Sequence, residues 1–260
     1  MKRDIHDLAM VSPSAWLGEG TRIGAFAIVG DDVELGDRCI VEPYAIIQGP
    51  SSFGKENHFY SHSVVGNDPQ DLKFAGEKTR LEAGDANQFR EFCTVSRGTS
   101  LGGGVTRLGN HNLIMSYAHI AHDCRVGSYT ILVNAATLGG HVTVEDYAQV
   151  GAFCPVHQFC RIGKFAYVAA HTVVTQDVAP FSKVVAPRGT KTYGVNSVGL
   201  VRAGFSPERI HAIEKAFRLL LHSKLNTTQA LVKMRETLAG SEDVTELVRF
   251  IETAARGLAK

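Results

Sequence analysis

The sequence lacks a strong excess of either charge. Its 260 residues include 27 Lys and Arg against 26 Asp and Glu, which leaves a formal net charge of +1 at pH 7. Proteins that bind nucleic acid normally show a basic excess or a basic patch. The near neutrality therefore argues against a nucleic-acid partner.

Long apolar runs are also lacking. No window reaches the roughly 18 apolar residues that a membrane-spanning helix needs. The opening MKRDIHDLAM has two cations but no apolar core of the kind found in secretory signals. These absences predict a cytoplasmic protein without a membrane span.

Cysteine is scarce, and no two cysteines form a C-x-x-C pair. An odd, scattered set in a chain without a signal disfavours both a disulfide framework and a structural zinc site. The five are Cys39, Cys93, Cys124, Cys154 and Cys160.

What the sequence does have is a period of six residues. Every sixth residue is apolar from Val11 to Val65, and again from Leu108 to Val174. The next residue is often Gly. The fourth residue after each apolar one is mostly small, and all five cysteines occupy this slot, which predicts that they are small core residues.

A six-residue period fits a hexapeptide β-helix better than an α-helix or a flat amphipathic strand. Three hexads form a triangular coil of about 18 residues, with the apolar residue pointing inward and Gly or a polar residue at the tight corner. Strict hexads resemble the left-handed parallel β-helix. We therefore predict a mainly β fold, with such a helix over 1–190 and inserted loops at 66–82 and 96–107.

The hexads end near residue 190, and a small helical domain is expected over 191–260. Ser206 followed by Pro207 predicts a helix start. Three helices are expected, within 208–225, 227–240 and 242–257, and they should cover one end or side of the prism, where open strand edges need protection.

Two histidines and an acid lie close together in SYAHIAHDCRVG, residues 116–127. Residues 18 apart stack between coils, at the usual strand spacing of about 4.8 Å. His119 lies three residues before the corner that this stacking creates. The corner gathers His122, Asp123, Gly140, His141, His157 and Gln158.

Three interpretations of this corner remain open. Three imidazoles could bind zinc, as in a β-helical class of carbonic anhydrase. Alternatively, one His is a general base, Asp123 holds its tautomer, and Gly140 offers a backbone N–H to an oxyanion. In the third, the protein is a structural scaffold and the histidines have no chemical role.

Several segments together resemble the acyl-[acyl carrier protein]–UDP-N-acetylglucosamine O-acyltransferases, the family that opens lipid A biosynthesis. They are NLIMSYAHIAHDCRVG, ATLGGHVTVEDYAQVGAFCPVHQFCRIG, NDPQDLKFAGEKTRL and YGVNSVGLVRAGFSPERI. The resemblance runs from about residue 8 to the C-terminal helices. It implies a homotrimer with active sites between subunits, acyl carrier protein as the 3-hydroxyacyl donor, UDP-N-acetylglucosamine as the acceptor, and no metal or cofactor.

The resemblance also assigns roles by position. His122 matches the general base, Asp123 the residue that orients it, and Gly140 the oxyanion-binding amide. Ala170 falls where the family sets acyl-chain length. The positions that match sugar, phosphate or acyl contacts are Asp71, Lys73, His119, His141, His157 and Gln158, and those that match nucleotide contacts are Asn196 and Arg202.

Three positions depart from the family's common pattern. Ser96 stands where His is frequent, Val198 replaces a common acid, and Ala203 replaces a second Arg beside Arg202. The related N-acyltransferases normally carry an N-terminal uridine-binding domain, for which hexads that begin at Val11 leave no room. Acylation of a 3-amino sugar nucleotide stays open, because one base serves both O- and N-acylation.

Overall fold

The protein winds as a prism of three β-sheets, capped by helices. The strands run parallel except for the last strand of the first sheet, which is antiparallel. The structure is a computed structural model and describes residues 3–185 and 192–259. Elements are numbered along the chain. The first sheet contains, in spatial order, β1 Asp4–Ile5, β4 Arg22–Ile23, β7 Ile40–Val41, β10 His58–Phe59, β13 Gln88–Phe89, β16 Leu113–Ile114, β19 Ile131–Leu132, β22 Gln149–Val150, β25 Tyr167–Val168, β26 Ser182–Val184 and β27 Thr192–Val195.

The other two sheets complete the triangle. The second contains β2 Met10–Val11, β5 Ile28–Val29, β8 Ile46–Ile47, β11 Val64–Asn67, β14 Thr94–Ser96, β17 His119–Ile120, β20 Thr137–Leu138 and β23 Pro155–Val156. The third contains β3 Trp16–Leu17, β6 Val33–Leu35, β9 Ser51–Phe53, β12 Arg80–Ala83, β15 Val105–Leu108, β18 Arg125–Val126, β21 Thr143–Val144 and β24 Arg161–Ile162.

Successive coils stack in the register that the hexads predict. Leu113 pairs with Ile131, and His119 with Thr137. Two excursions lengthen individual coils, so that His58 pairs with Gln88 and Thr94 with His119. The chain outside strands covers 68–79 in the first excursion and 97–104 in the second, the latter with a 3₁₀ turn at Ser100–Gly102. The domain boundary proposed at 190/191 lies outside the described residues.

The inward positions form one continuous core. Residues such as Phe59, Ile120, Leu132 and Leu138 have no exposed surface. All five cysteines are free and buried, which confirms them as small core residues. Burial raises the pKa of the Cys124 thiol to about 12, because a thiolate is poorly solvated in an apolar interior.

The corners match the expectation of Gly or a polar residue only in part. The left-handed backbone is adopted mainly by aromatic, His and Asp residues, including Phe26, Tyr44 and Asp123. Glycine serves a different purpose at Gly36, where a Cβ would stand 2.5 Å from the backbone carbon of Gly54 in the next coil. It is therefore close packing between coils that requires glycine there.

Four helices follow the prism in the described residues: α1 Ser197–Arg202, α2 Pro207–Leu221, α3 Thr227–Thr237 and α4 Glu242–Glu252. Ser206 caps α2 and Pro207 opens it, as predicted. The predicted third helix ends early, at Glu252, and α1 was not predicted, because a six-residue segment is too short to show helical periodicity.

The helices pack on the final coils of the prism. Phe165, Ala179 and Phe181 of the prism share one buried cluster with Leu200 and the inner faces of α2, α3 and α4. Arg161 donates to the carbonyl of Phe250 at 3.2 Å. The prediction that the helices cover part of the prism is therefore confirmed. Among the described helices, none has the length and apolarity to cross a bilayer.

Candidate active site

His122 and Asp123 form a hydrogen-bonded dyad at the corner between β17 and β18. His122 Nδ1 lies 2.8 Å from Asp123 Oδ2. Asp123 adopts a left-handed φ of 59°, which lets the chain turn from one sheet to the next. Because Nδ1 faces a carboxylate, it carries the proton in the neutral ring, and Nε2 is left as the basic nitrogen.

The Asp123 carboxylate is almost completely buried, with 1% of its side chain exposed. A buried carboxylate needs hydrogen-bond donors. Thr99 provides two, from its N–H to Oδ1 at 2.9 Å and from Oγ1 to Oδ2 at 2.6 Å. The backbone of Asp123 is anchored as well, since its N–H donates to Thr106 Oγ1 at 2.8 Å. The orientation of the carboxylate is therefore set from several sides.

Two further histidines border the dyad. His141 meets His122 edge to face, with ring centroids 5.2 Å apart, and stacks on Phe159 at 4.4 Å. His119 Nδ1 lies 2.7 Å from Thr94 Oγ1. Burial lowers the pKa of His119, and the neighbouring His122 lowers it further. His119 is therefore neutral at pH 7 and can act as a hydrogen-bond partner without adding charge.

Gly140 lies directly against the ring of His122. A Cβ at this position would stand 2.6 Å from Cε1 and 2.8 Å from Nε2. Among the described residues, the Gly140 N–H donates no hydrogen bond. The absence of a side chain therefore leaves room for the basic nitrogen and keeps an amide free beside it.

Gly140→Ala should impair catalysis without unfolding the protein. The added methyl must displace the His122 ring from Asp123, because the 2.6 Å approach is closer than carbon atoms tolerate. We expect kcat to fall by about 10- to 100-fold, the effect of losing one well-oriented group. Steady-state kinetics should be compared with those of Gly240→Ala, a glycine between α3 and α4. No atom lies within 4 Å of a Cβ at Gly240, and its backbone is outside the left-handed region. A Gly140→Ala enzyme with normal kcat would contradict this view of the corner.

Gln158 and His157 lie one coil further along. Phe159 N–H donates to the carbonyl of Gly140 at 3.1 Å, so the backbones stack as the 18-residue spacing predicts. The ring of His157 is exposed, and its Nδ1 lies 3.1 Å from the Gln158 carbonyl oxygen and 3.0 Å from Arg256 Nη2. Arg256, from the C-terminal tail, was not among the sequence candidates.

The remaining candidates take no part in the hydrogen bonds of the dyad in the described chain. Asp71 and Lys73 lie in the 68–79 segment, where Lys73 is exposed and its N–H donates to Asp71 Oδ1 at 3.0 Å. Asn196 caps α1 and donates to the carbonyl of Phe165 at 3.0 Å. Arg202 is exposed at the end of α1, and Ala170 is exposed at a different corner of the prism.

The three departures from the family pattern occupy contrasting environments. Ser96 is fully buried, and its Oγ accepts from Asn67 Nδ2 at 3.2 Å. Val198 is 64% exposed on α1, and Ala203 ends that helix. None of the three contacts His122 or Asp123 within the described residues.

Sequence reasoning missed Thr99 and Thr106. The 18-residue stacking rule could have found Thr106, because it places Thr106 beside residue 124, the neighbour of Asp123. Thr99 was not, because it lies in the second excursion, where the 18-residue spacing fails. The only available signal was that a Gly-rich insertion beside a catalytic corner often carries function.

One group of the described residues has atoms close enough to share a metal ion. It consists of His122, Asp123 and His141, whose ligand atoms lie within 4.8 Å of one another. His119 and His157 are outside it, so a set of three imidazoles is not assembled in the described chain. The donor set also fits a metal poorly, because Asp123 already accepts from Thr99 and His122.

Comparison with known proteins points to one family by sequence. Residues 177–259 match the model of domain 2 of UDP N-acetylglucosamine O-acyltransferase, and 14–49 and 105–140 match the six-repeat bacterial transferase hexapeptide. The chain is 43% identical over 254 residues to the acyl-[acyl-carrier-protein]–UDP-N-acetylglucosamine O-acyltransferase of Xylella fastidiosa, covering 98% of this chain and 97% of that protein. The enzyme of the same name from Thermodesulfovibrio yellowstonii is 40% identical over 257 residues and covers 99% of each.

Solved structures give the same result. The UDP-N-acetylglucosamine acyltransferase of Francisella novicida superposes with a TM-score of 0.95 at 36% identity, covering 98% of this chain and 93% of that one. The predicted left-handed parallel β-helix with a small C-terminal helical domain is thereby confirmed. The chain belongs to the family of acyl-[acyl-carrier-protein]–UDP-N-acetylglucosamine O-acyltransferases.

Proposed function

We propose that this chain transfers a (R)-3-hydroxyacyl group from the thioester of acyl carrier protein to the 3-hydroxyl of UDP-N-acetylglucosamine, with His122 as general base. This is the reaction that opens lipid A biosynthesis, and we place it in the cytoplasm. The observation that carries the proposal is the dyad itself, in which Nδ1 of His122 is held at 2.8 Å by a buried carboxylate and Nε2 faces Gly140.

The dyad suits removal of a proton from a sugar hydroxyl. Nε2 accepts the proton as the oxygen attacks the thioester carbonyl, and Asp123 stabilises the imidazolium that forms. The thioester is already an activated acyl donor, so no covalent enzyme intermediate is required. As the tetrahedral intermediate collapses, the imidazolium returns the proton to the departing thiolate.

Gly140 supplies the matching stabilisation of negative charge. Its N–H, free of other described acceptors, is beside the basic nitrogen and can donate to the oxyanion. A backbone donor fixed by the coil needs no reorganisation during the reaction. His119, neutral because burial lowers its pKa, and His141 then border the acceptor sugar.

We assign the substrate contacts that lie away from the dyad to a homotrimer. Asn196 and Arg202 contact the nucleotide. The sugar, phosphate or acyl group is contacted by Asp71, Lys73, His157 and Gln158. A column of stacked, solvent-exposed rings on the prism supports association between subunits. Its members are Phe26, Tyr44, His62, Phe92 and Tyr117, and successive ring centroids lie 5.1 to 5.3 Å apart. Exposed apolar columns of this length favour contact with another surface.

Ala170 is the residue we propose to limit acyl-chain length. Ala170 is exposed at a corner of the prism. In this proposal its methyl group shortens the groove that holds the acyl chain. Ala170→Gly should therefore shift the preferred donor to a chain longer by about one or two methylenes, each worth about 0.8 kcal/mol when buried. The check is competition between 3-hydroxyacyl carrier proteins of graded length, with Ala169→Gly as the neighbouring control. An unchanged preference would remove Ala170 from this role.

The test of the function is product identification by mass spectrometry. The purified protein is incubated with UDP-N-acetylglucosamine and a panel of 3-hydroxyacyl carrier proteins, with and without a chelator. Acylated sugar nucleotide formed equally in both supports base-catalysed transfer. Product abolished by chelation, and restored by zinc, would favour a metal at His122, Asp123 and His141.

A second acceptor separates O- from N-acylation. The 3-amino analogue of the sugar nucleotide is supplied in a parallel reaction under the same conditions. Product only with the amine would move the assignment to N-acylation by the same base. If neither acceptor gives product, the interpretation of the protein as a structural scaffold is favoured.

A further inference from the structure

The excursion between β14 and β15 places Thr99 directly on the catalytic carboxylate. Thr99 N–H donates to Asp123 Oδ1 at 2.9 Å, and Thr99 Oγ1 donates to Oδ2 at 2.6 Å. Oδ2 is also the oxygen that faces His122 Nδ1 at 2.8 Å. Thr99 is 4% exposed, so water does not compete for these bonds. One residue thus donates a hydrogen bond to each oxygen of the carboxylate that orients the base.

We infer that Thr99 is a positioning residue for the transfer proposed above, and that its hydroxyl fixes the Asp123 oxygen that orients His122. The inference rests on the proposed function. Two hydrogen bonds to two oxygens define the plane of the carboxylate. The backbone N–H alone would leave the carboxylate free to rotate about its hydrogen bond to Oδ1. The hydroxyl also takes up part of the negative charge on Oδ2, which the imidazole would otherwise experience.

The surrounding excursion is built to hold Thr99 at this place. The buried guanidinium of Arg97 donates to the carbonyl oxygens of Gly49 and Gly66, at 2.7 and 3.0 Å, and pairs with Asp68. The chain then closes over the carboxylate at Gly102, where a Cβ would stand 2.0 Å from Asp123 Cγ. Arg97 therefore anchors the excursion before Thr99, and Gly102 lets the chain after Thr99 pass close to the carboxylate.

The same excursion is bonded to the segment that carries Asp71 and Lys73. Ser100 Oγ donates to Glu77 Oε1 at 3.0 Å. Ser100 therefore offers a matched control: it is the next residue, it has a hydroxyl, and its hydrogen bond leads away from Asp123. A general disturbance of the excursion should affect both positions. Thr99 Oγ1 also accepts from the Gly102 N–H at 3.2 Å, but loss of that bond alone should not move the pH profile, whereas loss of carboxylate positioning should.

The test compares Thr99→Val, Thr99→Ser and Ser100→Ala in the full-length chain. With 3-hydroxyacyl carrier protein and UDP-N-acetylglucosamine, Thr99→Val should lower kcat by about 10- to 100-fold, the effect of losing a hydrogen bond to a charged group. KM should change little. The acid limb of the pH profile of kcat/KM should move to higher pH, because a carboxylate with one donor fewer holds the protonated imidazole more tightly.

Rescue by the conservative variant separates positioning from packing. Thr99→Ser keeps the hydroxyl and should retain most of the wild-type kcat and its pH profile, and Ser100→Ala should resemble wild type. If Thr99→Val does not fold, Thr99→Ala replaces it, with folding checked by thermal unfolding. Thr99→Val with unchanged kcat and pH profile, or Thr99→Ser as impaired as Thr99→Val, would overturn the inference.

His122→Ala is measured in the same series, so that the two hypotheses fail differently. A wild type without transfer, or a fully active His122→Ala, contradicts the proposed function. An inactive His122→Ala beside a fully active Thr99→Val contradicts only the role of Thr99.

Discussion

His122→Ala should lose about 10²- to 10⁴-fold in kcat, the range found when a general base is removed. The substituted enzyme keeps the thioester, the amide of Gly140 and the bound sugar, so the residual rate reflects attack by an unassisted hydroxyl. The fold should survive, because the His122 side chain is partly exposed at a corner, at 17%, and lies outside the apolar core of the prism. Steady-state kinetics with thermal unfolding in parallel would separate the two effects.

The pH dependence supplies a second expected result for the same variant. A protonated imidazole cannot accept a proton, so the pH profile of kcat/KM of the wild type should have an acid limb on which the rate falls. In His122→Ala this acid limb should disappear. His6→Ala is the control, because His6 is an exposed His in the first coil, with its ring nitrogen accepting from the Leu8 N–H at 3.1 Å. A variant that keeps both its rate and its acid limb would exclude His122 as the base.

The hexad period could predict most of what positions this site. An inward aliphatic every six residues sets the coil, and the coil stacks residue 122 on residue 140, which brings an imidazole against a glycine. That outcome follows from backbone geometry alone, since register in a parallel ladder is independent of the side chains that face outward. Where the ladder is uninterrupted, sequence distance therefore gives spatial distance.

The period could not place residues in the excursions. Thr99 reaches Asp123 because the chain between β14 and β15 leaves the ladder, and no spacing rule describes where such a chain returns. The corners also depart from expectation, because stacking of rings such as Tyr44 on Phe26, with centroids 5.1 Å apart, offsets the cost of left-handed backbone at non-glycine residues. These contacts depend on packing between coils, which the sequence of a single hexad does not contain.

Asp123→Asn should be nearly as damaging as loss of the base, although the two side chains have the same shape. Thr99 donates to both carboxylate oxygens, and an amide has only one acceptor oxygen. If that oxygen keeps the N–H of Thr99, the amide NH₂ takes the place of Oδ2 and donates to His122 Nδ1. The imidazole proton then moves to Nε2, which can no longer accept a proton from the sugar. We expect kcat to fall by about 10²- to 10⁴-fold, as when an acid that orients a histidine is replaced by its amide.

The double variant makes this expectation specific to the dyad. If Asp123 acts only by orienting His122, then His122→Ala combined with Asp123→Asn should be no slower than His122→Ala alone, because groups that act as a unit are not additive. Glu42→Gln is the matched amide control: Glu42 contacts His58 at 2.9 Å in another sheet and should leave kcat unchanged. Losses that multiply in the double variant would mean that the Asp123 carboxylate contributes to transfer independently of His122, for example through His141, whose Nε2 lies 3.8 Å from Oδ2.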